Sequence, residues 1–342
     1  MRRAFRAFVC LALLAGASPA AAQSFESVGI RAQGMGGAFV AVADDATATW
    51  WNPAGLASGA YFNAVLERDR LQEPSTDRDP AGQPRPASRV DEGGFAVAFP
   101  ALGLSYYRLR VSEIRAASPT GGSGPGRQDQ GPAAAGLSSL VLRQFGATVG
   151  QSLGDHLVVG ATLKLVHGTV AGASVAPCDA SLDRAASLDG PGQTHGDVDL
   201  GAMAVFGVAR LGLAVRNVTR PTFGEGGDQV TLARQARAGL ALTSGGYGAL
   251  AALTVAVDAD LTRRTTPAGD ERRVAAGVET WLLGRRLGVR GGVSRSTVGT
   301  ARGAGSGGVS VAVKSGLYVD AEATGGSDES LRGWGLALRV TF

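Results

Sequence analysis

The residues best suited to chemistry are few and far apart. The chain has three histidines, His156, His167 and His195. A zinc site needs three or four convergent ligands, and no local spacing in this sequence supplies them, so no metal is assigned. His156 follows Asp155 and reads as a turn residue, while His195 precedes Gly196 and reads as a loop residue. His167 has no ordered nucleophile motif to act on, so catalytic residues are none and no cofactor is implied. Cys178 is the one cysteine after residue 22 and reads as an inert loop thiol. The run Gly121-Gly122-Ser123-Gly124-Pro125-Gly126 lacks the lysine and the strand-then-helix context of a phosphate-cradling loop.

Charged residues at alternate positions are more informative. Asp258, Asp260, Asp320 and Glu322 fall on one phase of two strand-like segments, and Lys164, Arg216, Glu279 and Arg339 share that orientation in others. Such charges suit the inside of a closed sheet. Two uses follow: a salt-bridged, water-filled interior that holds an internal segment in place, or a charged constriction that sets selectivity.

The elements that must carry these charges alternate with period two. Fourteen segments are predicted, at 61–69, 93–100, 102–110, 138–152, 156–168, 197–207, 208–218, 234–243, 250–262, 272–283, 286–296, 307–315, 316–325 and 331–342. Most approach the nine to eleven residues that cross a bilayer at a tilt. In 253–262, Leu253, Val255, Val257, Ala259 and Leu261 oppose Thr254, Ala256, Asp258, Asp260 and Thr262. In 334–342, Trp334, Leu336, Leu338, Val340 and Phe342 oppose Gly335, Ala337, Arg339 and Thr341. Tyr61, Tyr107, Trp281, Tyr318 and Trp334 lie near segment ends, as interfacial aromatics do. The longest connections, 70–92, 111–136 and 169–196, contrast with many short ones, which is how outer-membrane barrels divide their two ends. The expected fold is all-β, a 14-stranded antiparallel transmembrane β-barrel with a small N-terminal plug.

Composition agrees. Glycine, 52 of 342 residues, is well above ordinary usage, and it shows no collagen period. The N-terminus, with Arg2, Arg3 and Arg6, a short apolar run and Ala20-Ala21-Ala22, predicts a signal peptide over 1–22. Its three arginines account for most of the net charge of +4, so the basicity does not point to nucleic acid. Residues 23–59 are too apolar for a surface tail and too irregular for a wall strand. They predict a hatch inside the barrel, with Asp44-Asp45 capping a helix over 45–50, and residues 60–342 form the barrel itself.

The run GMGGAFVAVADDATATWWNPAGLA, residues 34–57, resembles the N-terminal signature of the FadL-type outer-membrane transport superfamily (OMPP1/FadL/TodX). It is also similar to the related PorV/PorQ group. The resemblance implies a fourteen-stranded barrel in the cell outer membrane, with Met35, Phe39, Trp50, Trp51, Asn52, Pro53 and Leu56 packed in the lumen as hatch or ligand-pocket residues. Implied partners are outer-membrane lipid and the barrel assembly machinery, the latter through a C-terminal strand ending in Phe342. A third partner is either a hydrophobic small molecule, such as a long-chain fatty acid or hydrocarbon, or a secreted or envelope protein bound by a scaffold.

Overall fold

The computed structural model describes residues 28–73, 78, 84–115, 134–226, 229–247, 250–266, 269–299, 302–326 and 331–342. The expected signal peptide and the 121–126 glycine run lie outside the described residues.

Among the described residues, eighteen strands follow one another. They are β1 (Asn63–Glu73), β2 (Ala87–Phe99), β3 (Leu102–Arg115), β4 (Ala135–Leu153), β5 (Leu157–Val175), β6 (Gly192–Phe206), β7 (Ala209–Arg216), β8 (Thr222–Phe223), β9 (Val230–Thr231), β10 (Gln235–Tyr247), β11 (Leu250–Asp260), β12 (Arg264–Thr266), β13 (Gly269–Glu271), β14 (Arg273–Leu282), β15 (Leu287–Ser296), β16 (Gly303–Lys314), β17 (Leu317–Gly326) and β18 (Arg332–Thr341). Fourteen close into an antiparallel barrel, and the pairs β8–β9 and β12–β13 are small hairpins in its connections. Closure is made by β1 on β18, running in register from Asn63↔Thr341 to Gln72↔Arg332. No strand edge of the barrel is left open, which is what a sheet needs if its surroundings cannot hydrogen-bond.

Each of the fourteen expected segments overlaps one barrel strand. The alternation divides as the sequence requires: Val255, Val257, Leu336 and Leu338 are exposed on the outer face, while Thr254, Ala256, Asp258, Ala337 and Arg339 are buried within. The outer face is an apolar belt that includes Leu104, Phe145, Leu163, Leu213, Leu240 and Val309. No helix among the described residues is long and apolar enough to cross a membrane.

The two ends differ. Connections of two to four residues join β2–β3, β4–β5, β6–β7, β10–β11, β14–β15 and β16–β17, and those at the other end span five to nineteen residues. Gly316, at φ 78°, supplies the positive φ that the two-residue β16–β17 turn requires. The long-connection end is built higher than the sequence suggests. β3 runs on to Arg115, β5 to Val175, and β6 starts at Gly192, so parts of the expected loops 70–92, 111–136 and 169–196 are strand. His195 accordingly sits in β6, not in a loop, whereas His156 is in the β4–β5 turn as expected.

Two connections fold back on the barrel. The β8–β9 hairpin enters the mouth, where Phe223, Val230 and Leu232 pack on the inner side chains Val111, Leu140, Leu142, Val166 and Val170. Between β5 and β6 a helix, Leu182–Ala186, straps the outer face of β2–β4, with Ala180, Leu182 and Ala185 against Ala87, Ile114, Ala135 and Leu137. Cys178 is free and exposed at the start of this strap.

The aromatic expectation needs correction. Tyr107, Trp281 and Tyr318 point inward and are buried, and only Tyr61 and Trp334 of the five are exposed. The interior takes the other three because it offers polar partners as well as packing: Trp281 Nε1 donates to Glu279 Oε2 at 3.2 Å, and Arg339 lies 4.6 Å from the Tyr318 ring centre.

Candidate functional site

The candidate site is the lumen at the level of residues 28–62, which enter it before β1 begins. Two short helices, α1 (Ile30–Gly34) and α2 (Ala48–Trp51), and a 3-10 turn, Pro53–Ser58, give this hatch its shape. The helix expected over 45–50 starts later, at Ala48. Asp45 serves the preceding turn instead, its Oδ1 accepting from the Thr47 backbone N at 2.9 Å. Asn52 caps the 3-10 turn through its side chain, which accepts from Ala54 N at 3.2 Å. Its amide also donates to Val40 O at 2.8 Å and to Ala202 O on β6 at 3.2 Å, so one side chain holds turn, hatch and wall together.

Anchors from the wall are mostly acids. Glu67 on β1 accepts from the backbone N–H groups of Gly29 and Ile30, at 2.9 and 3.2 Å. Asp258 on β11 accepts from Phe39 N and Val40 N through one oxygen, both at 2.8 Å. Arg31 reverses the polarity. Its Nε and a terminal nitrogen donate to the two oxygens of Glu279 on β14, at 2.8 and 2.5 Å, while its other nitrogen binds Asp44 and, at 3.2 Å, Asp45. Burial alone would lower the basicity of Arg31, but Asp44, Glu279 and Asp45 outweigh it and hold the guanidinium well above its ordinary value. Asp69 accepts from the Gln33 side chain.

Glycine lets backbone lie on backbone where the hatch meets the wall. A Cβ on Gly292 of β15 would fall 2.2 Å from the carbonyl carbon of Met35, and one on Gly160 of β5 would fall 2.4 Å from that of Pro53. Both are far below any tolerated contact, so these positions bring the hatch closer than a side chain would allow.

All seven hatch residues expected in the lumen are there and buried: Met35, Phe39, Trp50, Trp51, Asn52, Pro53 and Leu56. They are consumed by packing. Phe39 and Trp51 meet edge to face at 5.9 Å, Trp50 meets Tyr107 at 5.4 Å, and the Arg216 guanidinium stacks 3.4 Å from the Trp50 ring centre. A cavity of about 20 Å³ between Gln33, Gly36, Ser306 and Thr324 has room for roughly one water.

The eight expected lumen charges also face inward, and they fall into groups. Lys164 reaches Asp197 at 2.8 Å and Asp199 at 2.7 Å, with Arg216 3.5 Å from Asp199. Asp260 pairs with Arg237 at 2.7 Å. Asp320 pairs with Arg339 at 2.8 Å, and Arg290 stands 3.7 Å from both Asp320 and Glu279. Glu322 accepts from Thr324 Oγ1 at 2.9 Å. At this level the interior is a packed, ion-paired hatch and not an open water column. Sequence reading missed Arg31, Glu67, Asp69, Asp197, Asp199, Arg237 and Arg290. The wall residues among them obey the same alternation, which could have found them. Arg31 carried no periodic signal.

A family model described as "F plasmid transfer operon, TraF, protein" matches residues 30–260, more than half of the chain, from the first hatch helix to the end of β11. The chain belongs to this family. No curated protein matches the sequence. Among solved structures, this TraF-family chain is similar to the CymD monoaromatic hydrocarbon channel, at TM-score 0.59 and 15% identity, covering 93% of this chain and 98% of that one. It is also similar to a Pseudomonas aeruginosa FadL homologue, at 0.56 and 11%, with coverage of 92% and 98%. The P. putida toluene transporter TodX matches at 0.51 and 12%, over 93% and 99%. At these identities the likeness is one of fold. The FadL-type resemblance carried by residues 34–57 thus extends, as architecture, over nearly the whole TraF-family chain.

Proposed function

We propose that this chain is an outer-membrane channel that admits small hydrophobic molecules, and that the state described here is its closed one. The observation that carries the reading is the hatch: an N-terminal segment folded into the lumen of a fourteen-stranded barrel whose outer face is apolar. The architecture is shared with proteins named as monoaromatic hydrocarbon channel and toluene transporter. An apolar outer face belongs in hydrocarbon, and an exported barrel with one short-turn end and one long-loop end belongs in an outer membrane. Long-chain fatty acids or hydrocarbons are the ligands proposed.

The packed lumen favours a second reading. A barrel whose hatch is locked by ion pairs could serve as a scaffold for an envelope or secretion system, like the PorV/PorQ group, with its long-connection end as the docking face. Native mass spectrometry with lipid extraction, on protein purified gently from the outer membrane, separates the two. A co-purifying fatty acid or hydrocarbon, together with faster uptake of that molecule by cells carrying the chain, supports the channel. A ligand-free barrel that retains an envelope protein and leaves uptake unchanged sinks the channel reading and supports the scaffold.

A further inference from the structure

One row of outward-facing residues is cationic where a membrane barrel should be neutral or mixed. Cross-strand register places Arg68 of β1 opposite Gly93 of β2, Gly93 opposite Arg108 of β3, Arg108 opposite Arg143 of β4, and Arg143 opposite His167 of β5. Arg68, Arg108 and Arg143 are all exposed. Like charges directly opposite on neighbouring strands repel one another, yet here Arg108 and Arg143 face each other with no acid between them.

The outward-facing acids near this level are engaged elsewhere, and Glu92, next to Gly93, is buried on the lumen side. Asp91 pairs with Arg70 at 2.5 Å and Arg89 at 3.3 Å, and Asp183 of the strap pairs with Arg89 at 2.8 Å. Among the described residues, the side chains of Arg68, Arg108 and Arg143 make no hydrogen bond or salt bridge, their backbones being paired in β1, β3 and β4. Gly93 leaves the space between Arg68 and Arg108 open, since a Cβ there would have no neighbour closer than 4.0 Å.

Two residues nearer the short turns, the register row is Leu66, Phe95, Tyr106, Phe145 and Leu165. It is apolar and outward, with Leu66, Phe95, Phe145 and Leu165 exposed. On the other side of the cationic row, the strap helix Leu182–Ala186 covers the outer face of β2–β4. The cations therefore sit at the upper edge of the apolar belt, under a roof and above an acyl-chain surface.

We propose that Arg68, Arg108 and Arg143 form a binding site for the headgroup phosphates of a phosphorylated glycolipid of the outer leaflet, its acyl chains lying on Leu66, Phe95, Tyr106, Phe145 and Leu165. A phosphate bridging Arg108 and Arg143 turns their repulsion into two charge-assisted hydrogen bonds. A soluble anion would use the arginines but not the apolar row beneath them. The site rests on the barrel lying in an outer membrane, as proposed above, with its long-connection end outward, and is independent of what passes through the lumen.

The test uses the purified full chain in detergent, titrated with lipid A and with its dephosphorylated form and followed by native mass spectrometry. Wild-type barrel should retain lipid A and release the dephosphorylated lipid. Losing two charge-assisted contacts in R108Q/R143Q should weaken retention by at least about tenfold. The control R295Q/K314Q, elsewhere on the outer wall, should bind like wild type. Equal retention of the two lipids, or wild-type binding by R108Q/R143Q, overturns the proposal. Displacement of lipid A by equimolar inorganic phosphate would mark a simple anion site and overturn it as well. If R108Q/R143Q does not fold, the phosphate dependence of wild type and the binding of R108K/R143K decide the matter. A barrel that retains lipid A but moves no hydrophobic molecule would leave this site standing while the channel reading fell.

Discussion

Arg31 joins three parts of the molecule at one guanidinium: the first hatch helix, the acidic pair Asp44-Asp45 and Glu279 of the wall. Removing one partner of a buried ion pair leaves the others uncompensated and costs about 3–5 kcal/mol. R31M should therefore lower the temperature at which the folded barrel is lost in a heat-modifiability gel. R31M combined with E279M should recover part of that loss, because the orphaned wall carboxylate is gone. A double variant no more stable than R31M would show that Glu279 is not what the arginine neutralises. Asn52 is a neutral counterpart. N52A forfeits three bonds, to Val40, Ala202 and Ala54, and at about 0.5–1.5 kcal/mol net for each this should destabilise the hatch by about 2–4 kcal/mol. Faster proteolysis within 28–62, with the barrel core still protected, is the expected reading. Unchanged cleavage would mean that packing alone holds the turn.

At the scale of elements, the wall strands were legible and the hatch was legible only as an exception to them. Period two assigns Asp258 and Arg339 to the inside without any knowledge of partners, because a charge on the outer face would meet hydrocarbon. It cannot say that Asp258 accepts from Phe39 and Val40, since that depends on how an aperiodic segment folds inside a closed surface. Tyr107, Trp281 and Tyr318 were misplaced for the same reason: nearness to a segment end says nothing about which face an aromatic takes. Strand lengths were underestimated at the long-connection end because the strap and the β8–β9 hairpin cover Ile114, Leu137 and Val170 there, so the pattern no longer alternates apolar against polar. The glycines Gly160 and Gly292 were visible as residues, but their use appears only once a hatch backbone lies on them. G292V should push the hatch off β15 and raise single-channel conductance in planar bilayers. G245V, at a glycine with open space around it, should not. Equal conductance of G292V and wild type would show that the hatch is held without that close approach.

The whole molecule has a direction, set by the contrast between turns of two to four residues at one end and connections of five to nineteen at the other. The apolar belt stops near the register row of Arg68, Arg108 and Arg143, so in the membrane that the channel reading requires, everything from β3 beyond Arg108 to the strap would stand clear of hydrocarbon. That portion includes its own small core around Leu182 and Ile114, which a segment embedded in lipid would have no reason to bury. If the barrel lies in an outer membrane with this end outward, Cys178 is a built-in reporter, because it is free and exposed on the strap. A membrane-impermeant maleimide applied to intact cells should label the chain, and C178S should abolish the signal. The strap is pinned by Arg89 to Leu182 O at 3.2 Å and to Asp183, so R89A should speed the labelling without changing its sidedness. Labelling seen only after the outer membrane is permeabilised would place the long connections in the periplasm. The channel reading would then have to admit its ligand from the short-turn end, past Pro53 and Leu56, which lie directly on the wall glycines Gly160 and Gly103.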